Sequence, residues 1–228
     1  SSHRANSVRD HLKQSRTVTE AIYDAGYNAN SRFYEHAPDF LGMTPKEYRA
    51  GASGQTIRYA IQECSLGLML VAATKRGVCA LQLGDSRDSL ERALRAEFPR
   101  ADITPADDTP VALGGWLSAA LALVDGTTAS KGDTTAHSLP LDIRGTAFQQ
   151  KVWQALRNIP AGKTATYSQV AAAIGKPGAV RAVANACAGN RIAVAIPCHR
   201  VIRSDGSLSG YRWGVERKRK LLDKEAAE

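Results

Sequence analysis

The sequence has few cysteines and no long apolar run, and each absence excludes a class of protein. Its four cysteines, Cys64, Cys79, Cys187 and Cys198, form no Cys-x-x-Cys pair and no cluster. Neither a disulfide framework nor a zinc site is therefore indicated. No apolar run approaches the ~18 residues of a membrane span, and no hydrophobic signal segment opens the chain. We expect a soluble cytoplasmic protein without a bound metal or a membrane partner.

The chain is rich in apolar residues, and its charged residues are unevenly distributed along the sequence. Its 228 residues are 43% hydrophobic and carry a net charge of +8, which excludes a disordered chain and allows one large or two small domains. Residues 143–228 hold 15 basic and 5 acidic side chains, whereas residues 51–142 hold 8 and 11. This distribution is typical of a scaffold with a surface for a polyanion such as nucleic acid. A solvated helix face, for example the basic run 217–220, is the alternative.

The first of three segments, residues 1–51, has the pattern of a helix-turn-helix. Apolar residues recur at helical spacing up to Gly26, which ends one helix, and a second helix follows. The second helix presents polar side chains, among them Arg32, that can reach base edges or phosphates. A small helical bundle used only for packing is the alternative. The segment ends in a Gly- and Ser-containing linker at residues 50–54.

The second segment, residues 52–142, changes to a two-residue period. Apolar residues alternate from Ile57 to Ile61, and two further apolar runs follow, which predicts an antiparallel meander. Apolar faces then predict two helices, around residues 90–98 and 116–124. The segment contains no catalytic constellation, so we interpret it as scaffold.

The third segment, residues 143–228, contains a second helix-turn-helix pattern. A helix capped by Ser168 precedes the turn Gly175-Lys176-Pro177-Gly178, and a second helix follows over residues 179–188. That second helix is rich in alanine, and small residues cannot read the base edges of a major groove. They do let a helix lie close against DNA of any sequence, with Arg181 as the one long cation. An alanine-rich core helix is the alternative.

The motif Pro197-Cys198-His199-Arg200 carries the chemistry. A cysteine beside a histidine is typical of an activated thiol, because the thiolate is the nucleophile and needs a base or cation nearby. We expect Cys198 at the end of a buried strand formed by residues 192–196. Neighbouring residues of an extended chain point to opposite faces, so a water would bridge Cys198 to His199. A carboxylate would fix the imidazole, and Glu225 is one candidate. A Cys–His hydrolase is the alternative.

These residues resemble the O6-alkylguanine-DNA alkyltransferase family. The resemblance rests on the Pro-Cys-His-Arg-Val motif, and the helical segment in front is similar to the Ada branch of bacterial regulator-alkyltransferases. It extends over most of the chain. Its supporting motifs are Arg144–Gln149, Tyr167-Ser168-Gln169, Gly189-Asn190, Pro197–Val201 and Gly210–Gly214.

The resemblance implies a fold of mixed α/β (α+β) class in three parts. The first is a partial AraC-type helix-turn-helix at residues 1–51. The second is an RNase H-like antiparallel sheet domain at residues 52–142. The third is a mostly helical, winged-helix-like catalytic domain at residues 143–228. The Ada pattern also includes an N-terminal cysteine-rich zinc domain, and we expect none within these 228 residues.

The resemblance also implies a role for each matching residue. Cys198 would accept the alkyl group, His199 would take its proton through a water, and Glu225 would orient the histidine. Asn190 would tie the recognition helix to the active-site loop, and Tyr167 would donate a hydrogen bond beside the purine. Contact with DNA is assigned to Arg181, Ala182, Tyr167 and Ser168, in addition to Arg32 of the first segment, and Arg181 would be the finger that replaces a flipped base. The substrate pocket is assigned to Val201, Tyr211, Arg212 and Trp213.

The implied function is direct repair of double-stranded alkylated DNA. A methyl group would pass once and irreversibly from O6-methylguanine, and also from O4-methylthymine, to Cys198 without a cofactor. Several family members carry small residues where Arg212 and Trp213 stand, so we expect a narrow pocket that favours methyl. A monomer associated with the nucleoid is expected. A DNA-binding transcription regulator that contacts RNA polymerase is the alternative or additional function.

Overall fold

The computed structural model describes residues 55–106, 113, 115–126, 139–143 and 145–227. The expected helix-turn-helix of residues 1–51, with Arg32, lies outside these residues, as does Arg144. The described strands are β1 (Thr56–Cys64), β2 (Gly67–Thr74), β3 (Gly77–Gly84), β4 (Asp102–Pro105), β5 (Ala165–Thr166) and β6 (Val201–Ile202). The described helices are α1 (Arg87–Glu97), α2 (Trp116–Asp125), α3 (Ala147–Arg157), α4 (Tyr167–Ala173), α5 (Val180–Ala188) and α6 (Val215–Ala227).

A four-stranded sheet in the order β3-β2-β1-β4 forms the first half of the described chain. The first three strands pair antiparallel, as the alternation of apolar residues predicts, with Ile61 opposite Leu70. Strand β4 adds to β1 in parallel, and the sequence analysis did not predict it because its four residues contain a single buried position. The edge strand β3 is covered by two isolated bridges, from Val78 to Leu141 and from Leu81 to Ile192.

Local sequence determines where the first two helices begin and end. The hydroxyl of Ser86 accepts a hydrogen bond from the Ser89 amide and caps α1, which buries Leu90 and Leu94. Helix α2 lies between Gly115 and Gly126, both in the left-handed conformation that glycine adopts without strain. Both helices occur where their apolar spacing predicts them.

Two capping boxes position the helices of the second half. Thr146 caps α3 together with Gln149, and Thr166 caps α4 together with Gln169. The sequence analysis assigned the cap of α4 to Ser168, and this was wrong by two residues because the Thr166–Gln169 box satisfies the first amides. The Trp153 indole donates to the Ala186 carbonyl over 2.9 Å, which joins α3 to α5.

The segment before Cys198 differs from the expected strand. Residues 193–195 form turns and Val194 has a positive φ of 62°, so the run makes only the bridge from Ile192 to Leu81. Cys198 therefore does not end a strand but begins a 3-10 turn, Cys198–Arg200. Strand β6 continues from that turn and pairs in parallel with β5.

The larger hydrophobic core joins the two halves. It contains Val71 and Leu81 from the sheet together with Trp153, Val183 and Leu221 from the helices. A second core lies between the other face of the sheet and α1. The predicted mixed α/β class, with an antiparallel-dominated sheet, is confirmed for the described residues. None of the described helices is both long and apolar enough to cross a membrane.

Candidate active site

A cavity of about 550 Å³ opens beside the turn that carries Cys198. Four of the predicted site residues line this cavity: Tyr167, Cys198, Tyr211 and Arg212. Val201 and Trp213, which were predicted to form the pocket, are not part of the lining. The lining residues are Tyr167, Ala184, Cys187, Ala188, Cys198, Arg203, Ser209, Gly210, Tyr211 and Arg212.

Asn190 holds the cysteine in place. Its side chain is fully buried, and its amide nitrogen lies 3.1 Å from Cys198 Sγ and 2.9 Å from the Ile196 carbonyl oxygen. The same nitrogen contacts the Ile192 carbonyl oxygen at 3.1 Å, while the side-chain oxygen accepts from the Ile192 amide at 2.9 Å. One asparagine therefore fixes both the loop after α5 and the sulfur that faces the cavity.

The resting sulfur is a thiol. Cys198 is 5% exposed, and burial raises its pKa to about 11, against the hydrogen bond from Asn190 and the positive charge of Lys218, which act in the opposite direction. Burial also raises the pKa of the second cysteine of the cavity, Cys187, to about 12. Ionisation of Cys198 at neutral pH therefore requires a base and further stabilisation of the negative charge.

His199 and Glu225 form a buried pair next to the cysteine. His199 Nε2 lies 2.8 Å from Glu225 Oε1. Arg200 donates hydrogen bonds to the same carboxylate from Nε and Nη2, over 2.9–3.1 Å. Gly162, at φ +70°, donates its amide to Glu225 Oε2 over 3.3 Å, and a Cβ there would lie 2.9 Å from the Glu225 carbonyl oxygen. Helix α6, the turn and the loop after α3 thus meet at one carboxylate.

The electrostatics of this pair fix the protonation state of the histidine. Burial opposes ionisation of Glu225, but hydrogen bonds from His199 and Arg200 outweigh it and lower the pKa of Glu225 to about 2. Burial lowers the pKa of His199 despite the neighbouring carboxylate, so the imidazole is neutral at pH 7. An ionised carboxylate only accepts hydrogen bonds, so Nε2 carries the proton and Nδ1 carries a lone pair. Among the described residues no group hydrogen bonds to this buried Nδ1.

Tyr167 connects to a buried lysine through Ser209. Tyr167 Oη lies 2.6 Å from Ser209 Oγ, which accepts a hydrogen bond from Lys218 Nζ over 3.0 Å. Lys218 is fully buried and also donates to the Val201 carbonyl. Burial raises the pKa of Tyr167 and lowers that of Lys218.

Arg212 is held at the cavity by a residue of the sheet half. Its Nη2 lies 3.2 Å from Glu97 Oε1 at the end of α1. Glu97 is itself largely buried and also accepts from Arg191 and from Gln82. Trp213, which does not line the cavity, packs edge-on against Tyr211 with ring centroids 5.1 Å apart.

Three of the residues predicted to contact DNA, Arg181, Ala182 and Ser168, lie on the surface of the described part of the chain. Arg181 and Ala182 are exposed on α5, whose opposite side buries Val183 and Cys187, and Ser168 is exposed on α4. The alternative of an alanine-rich core helix is therefore half correct, because one face of α5 is core and the other faces solvent.

Sequence reasoning missed Lys218, Ser209, Glu97 and Arg200. Lys218 lies in a basic run that reads as a solvated face, and no local signal distinguishes it from its neighbours. Arg200 was visible only as part of the motif, without its contact to Glu225. Within the described part of the chain, no group of three metal-ligating side chains is placed to hold an ion.

Comparison with known proteins agrees with this geometry. The family model "6-O-methylguanine DNA methyltransferase, DNA binding domain" matches residues 147–227. The chain is 50% identical to the bifunctional transcriptional activator/DNA repair enzyme Ada of Escherichia coli over 98% of its own length, and it spans 60% of that protein's length. It is 36% identical to a methylated-DNA–protein-cysteine methyltransferase of Mycolicibacterium paratuberculosis, over 73% of this chain and 90% of that protein.

A solved structure supports the same assignment. The crystal structure of Mycobacterium tuberculosis OGT in complex with DNA superposes with a TM-score of 0.58 at 33% identity, covering 75% of this chain and 93% of that one. Fold and site together define a mixed α/β protein with a buried cysteine that lines a cavity beside a small-residue helix. The chain belongs to the methylated-DNA–protein-cysteine methyltransferase family.

Proposed function

We propose that this protein repairs DNA by transferring a methyl group from O6-methylguanine, and also from O4-methylthymine, to Cys198. The observation that carries the proposal is a buried thiol that lines a cavity and adjoins a buried His199–Glu225 pair. The names of the relatives, which include methyltransferases of methylated DNA, support the same reaction.

His199 would act as the base. Its Nδ1 lone pair is available to accept the Cys198 proton through a bridging water, as the sequence analysis expects. Glu225 holds the imidazole in that tautomer and stabilises the imidazolium that forms. The pKa of Cys198 lies well above that of His199, so the thiolate forms in step with the attack on the bound base rather than beforehand.

The transfer is an in-line displacement. The Cys198 sulfur forms a bond to the methyl carbon while the bond from that carbon to guanine O6 breaks. The electron pair of that bond stays on the guanine, where the Tyr167 hydroxyl would stabilise the developing negative charge. The product thioether has no good leaving group, so each molecule acts once.

The lesion must leave the helix to reach the cavity. A stacked base hides its O6 atom. On the exposed face of α5, Arg181 is the one long cation, beside Val180, Ala182, Asn185 and Ala188. We assign Arg181 to the space vacated by the flipped base. Ala182 would lie against the groove, and Ser168 would contact the neighbouring backbone.

The test is peptide mapping after reaction with a duplex that contains one O6-methylguanine. We expect one added methyl on the peptide that contains Cys198, saturating at one per protein, and none in a Cys198→Ala control that still binds DNA. An unmodified Cys198 in folded protein bound to this duplex would overturn the proposal.

We also propose a regulatory function, supported by the 50% identity to a protein named as a transcriptional activator over 98% of this chain. Residues 1–51, with Arg32, would bind a specific DNA sequence and bring the protein to RNA polymerase. Competition binding between specific and random duplexes, with an Arg32→Ala variant, tests this. Equal affinity for every sequence would count against it.

The three-part division at residues 51 and 142 and the monomeric, nucleoid-associated state remain proposals. Sedimentation of the protein with and without DNA tests the oligomeric state.

A further inference from the structure

The Ser209 hydroxyl stands between a buried positive charge and the hydroxyl of Tyr167. It is 7% exposed, accepts from Lys218 Nζ over 3.0 Å and lies 2.6 Å from Tyr167 Oη. Both Ser209 and Tyr167 line the cavity, whereas Lys218 does not. The positive charge of Lys218 can therefore polarise the two hydroxyl groups at the cavity through these hydrogen bonds.

The direction of the Ser209–Tyr167 hydrogen bond decides what Tyr167 can do. An ammonium group only donates, so Ser209 Oγ must accept from Lys218. Donation by a charged group draws electron density from the serine oxygen, which makes it a weaker acceptor and its O–H a stronger donor. This polarisation favours donation from Ser209 to Tyr167 Oη, an arrangement in which the Tyr167 hydrogen is free to point into the cavity.

We propose that Ser209 is a positioning residue that sets Tyr167 as a hydrogen-bond donor to the substrate. The inference rests on the methyl transfer proposed above and deepens it. With Ser209 donating, Tyr167 offers its own proton to the base from which the methyl group departs. Without Ser209, the Tyr167 hydroxyl rotates among other acceptors and donates to the substrate for only part of the time. No proton has to leave Lys218, because its charge polarises the chain from a fixed position.

The first test is a double-mutant cycle on the single-turnover rate with O6-methylguanine duplex. Ser209→Ala should slow transfer by about tenfold, the size of one hydrogen bond, and Ser209→Thr should restore most of the rate because it keeps the hydroxyl. In a Tyr167→Phe background, Ser209→Ala should have no further effect. The matched control is Ser118→Ala, an exposed serine on α2, which should leave the rate unchanged.

The second test does not depend on methyl transfer. The ring carbon that bears the Tyr167 hydroxyl, labelled with carbon-13 and assigned with Tyr167→Phe, reports on the hydrogen bonds of that hydroxyl at neutral pH. We expect its NMR resonance to move in Ser209→Ala and to stay near the parent position in Ser209→Thr. An unchanged resonance, or an equal loss of rate with and without the Tyr167 hydroxyl, overturns the proposal. An unmethylated Cys198 in the parent protein overturns the repair function instead.

Discussion

The amide nitrogen of Asn190 lies 3.1 Å from the sulfur of Cys198 and within 3.1 Å of two carbonyl oxygens of the loop between them. The Cys198 sulfur and the loop that leads to it are therefore held by one buried side chain.

Replacing Asn190 should weaken both folding and transfer. Asn190→Ala leaves the Ile192 amide and two buried carbonyls without this partner, which should cost about 3 kcal/mol of unfolding free energy. Urea unfolding measures this cost, and Asn185→Ala, an exposed asparagine on α5, serves as the matched control. A loss below about 0.5 kcal/mol would show that water replaces the asparagine at no cost.

Glu225 should make stability depend on pH in acid. Its pKa is about 2 in the folded protein against an ordinary value of 4.5. The unfolded chain therefore binds more protons between these values, and the unfolding free energy falls as pH falls from about 4.5 to about 2. The lowered pKa of His199 adds a loss that starts near pH 6.5.

The Glu225→Gln variant should have a lower unfolding free energy than the parent protein at neutral pH. Between about pH 4.5 and about pH 2, its unfolding free energy should change less with pH than that of the parent. Urea unfolding at a series of pH values checks this, with Glu216→Gln, exposed on the same helix, as the control. Parallel curves for Glu225→Gln and the parent protein would contradict the assignment of this window to Glu225.

Arg212 and Glu97 should set which alkyl groups enter the cavity. Arg212→Ala opens the wall beside Cys198, so the ratio of rates on O6-benzylguanine and O6-methylguanine should rise by about tenfold, as expected for added room in a pocket. Glu97→Gln weakens the ion pair that holds Arg212 and should raise the ratio by less. It should add nothing when Arg212 is already alanine. Equal parent rates on both substrates would show that the pocket is not narrow.

Arg181→Ala should slow transfer on duplex DNA far more than on the free modified base. The expected difference is at least tenfold, because unstacking a base costs a few kcal/mol and only the duplex requires it. Single-turnover rates on the two substrates give the ratio, with Arg219→Ala, an exposed cation on α6, as the control. A similar fall on both substrates would mean that Arg181 acts in the cavity.

The sequence predicted those parts of the site that lie next to one another in the chain. The Cys198-His199 pair was visible as a motif, and the meander of β1 to β3 followed from alternation. Glu97 was not predictable, because it reaches Arg212 across 115 residues and a long-range ion pair leaves no local pattern. Lys218 was not predictable either, because its partners, the Val201 carbonyl and the Ser209 hydroxyl, lie 17 and 9 residues away in the chain. The strand predicted before Cys198 does not form. Its backbone groups at Ile192 and Ile196 bond to the Asn190 side chain instead of to a neighbouring strand.

The bridge between Leu81 and Ile192 also bears on solubility. Leu81 donates its amide to the Arg191 carbonyl and accepts from the Ala193 amide, at 2.9 and 2.8 Å. The loop that leads to Cys198 thereby covers part of the outer edge of β3. An open strand edge is a template for pairing with another chain. Loss of these two hydrogen bonds would therefore expose the edge of β3 to pairing with another chain. The ordered loop before Cys198 thus also protects the protein from aggregation.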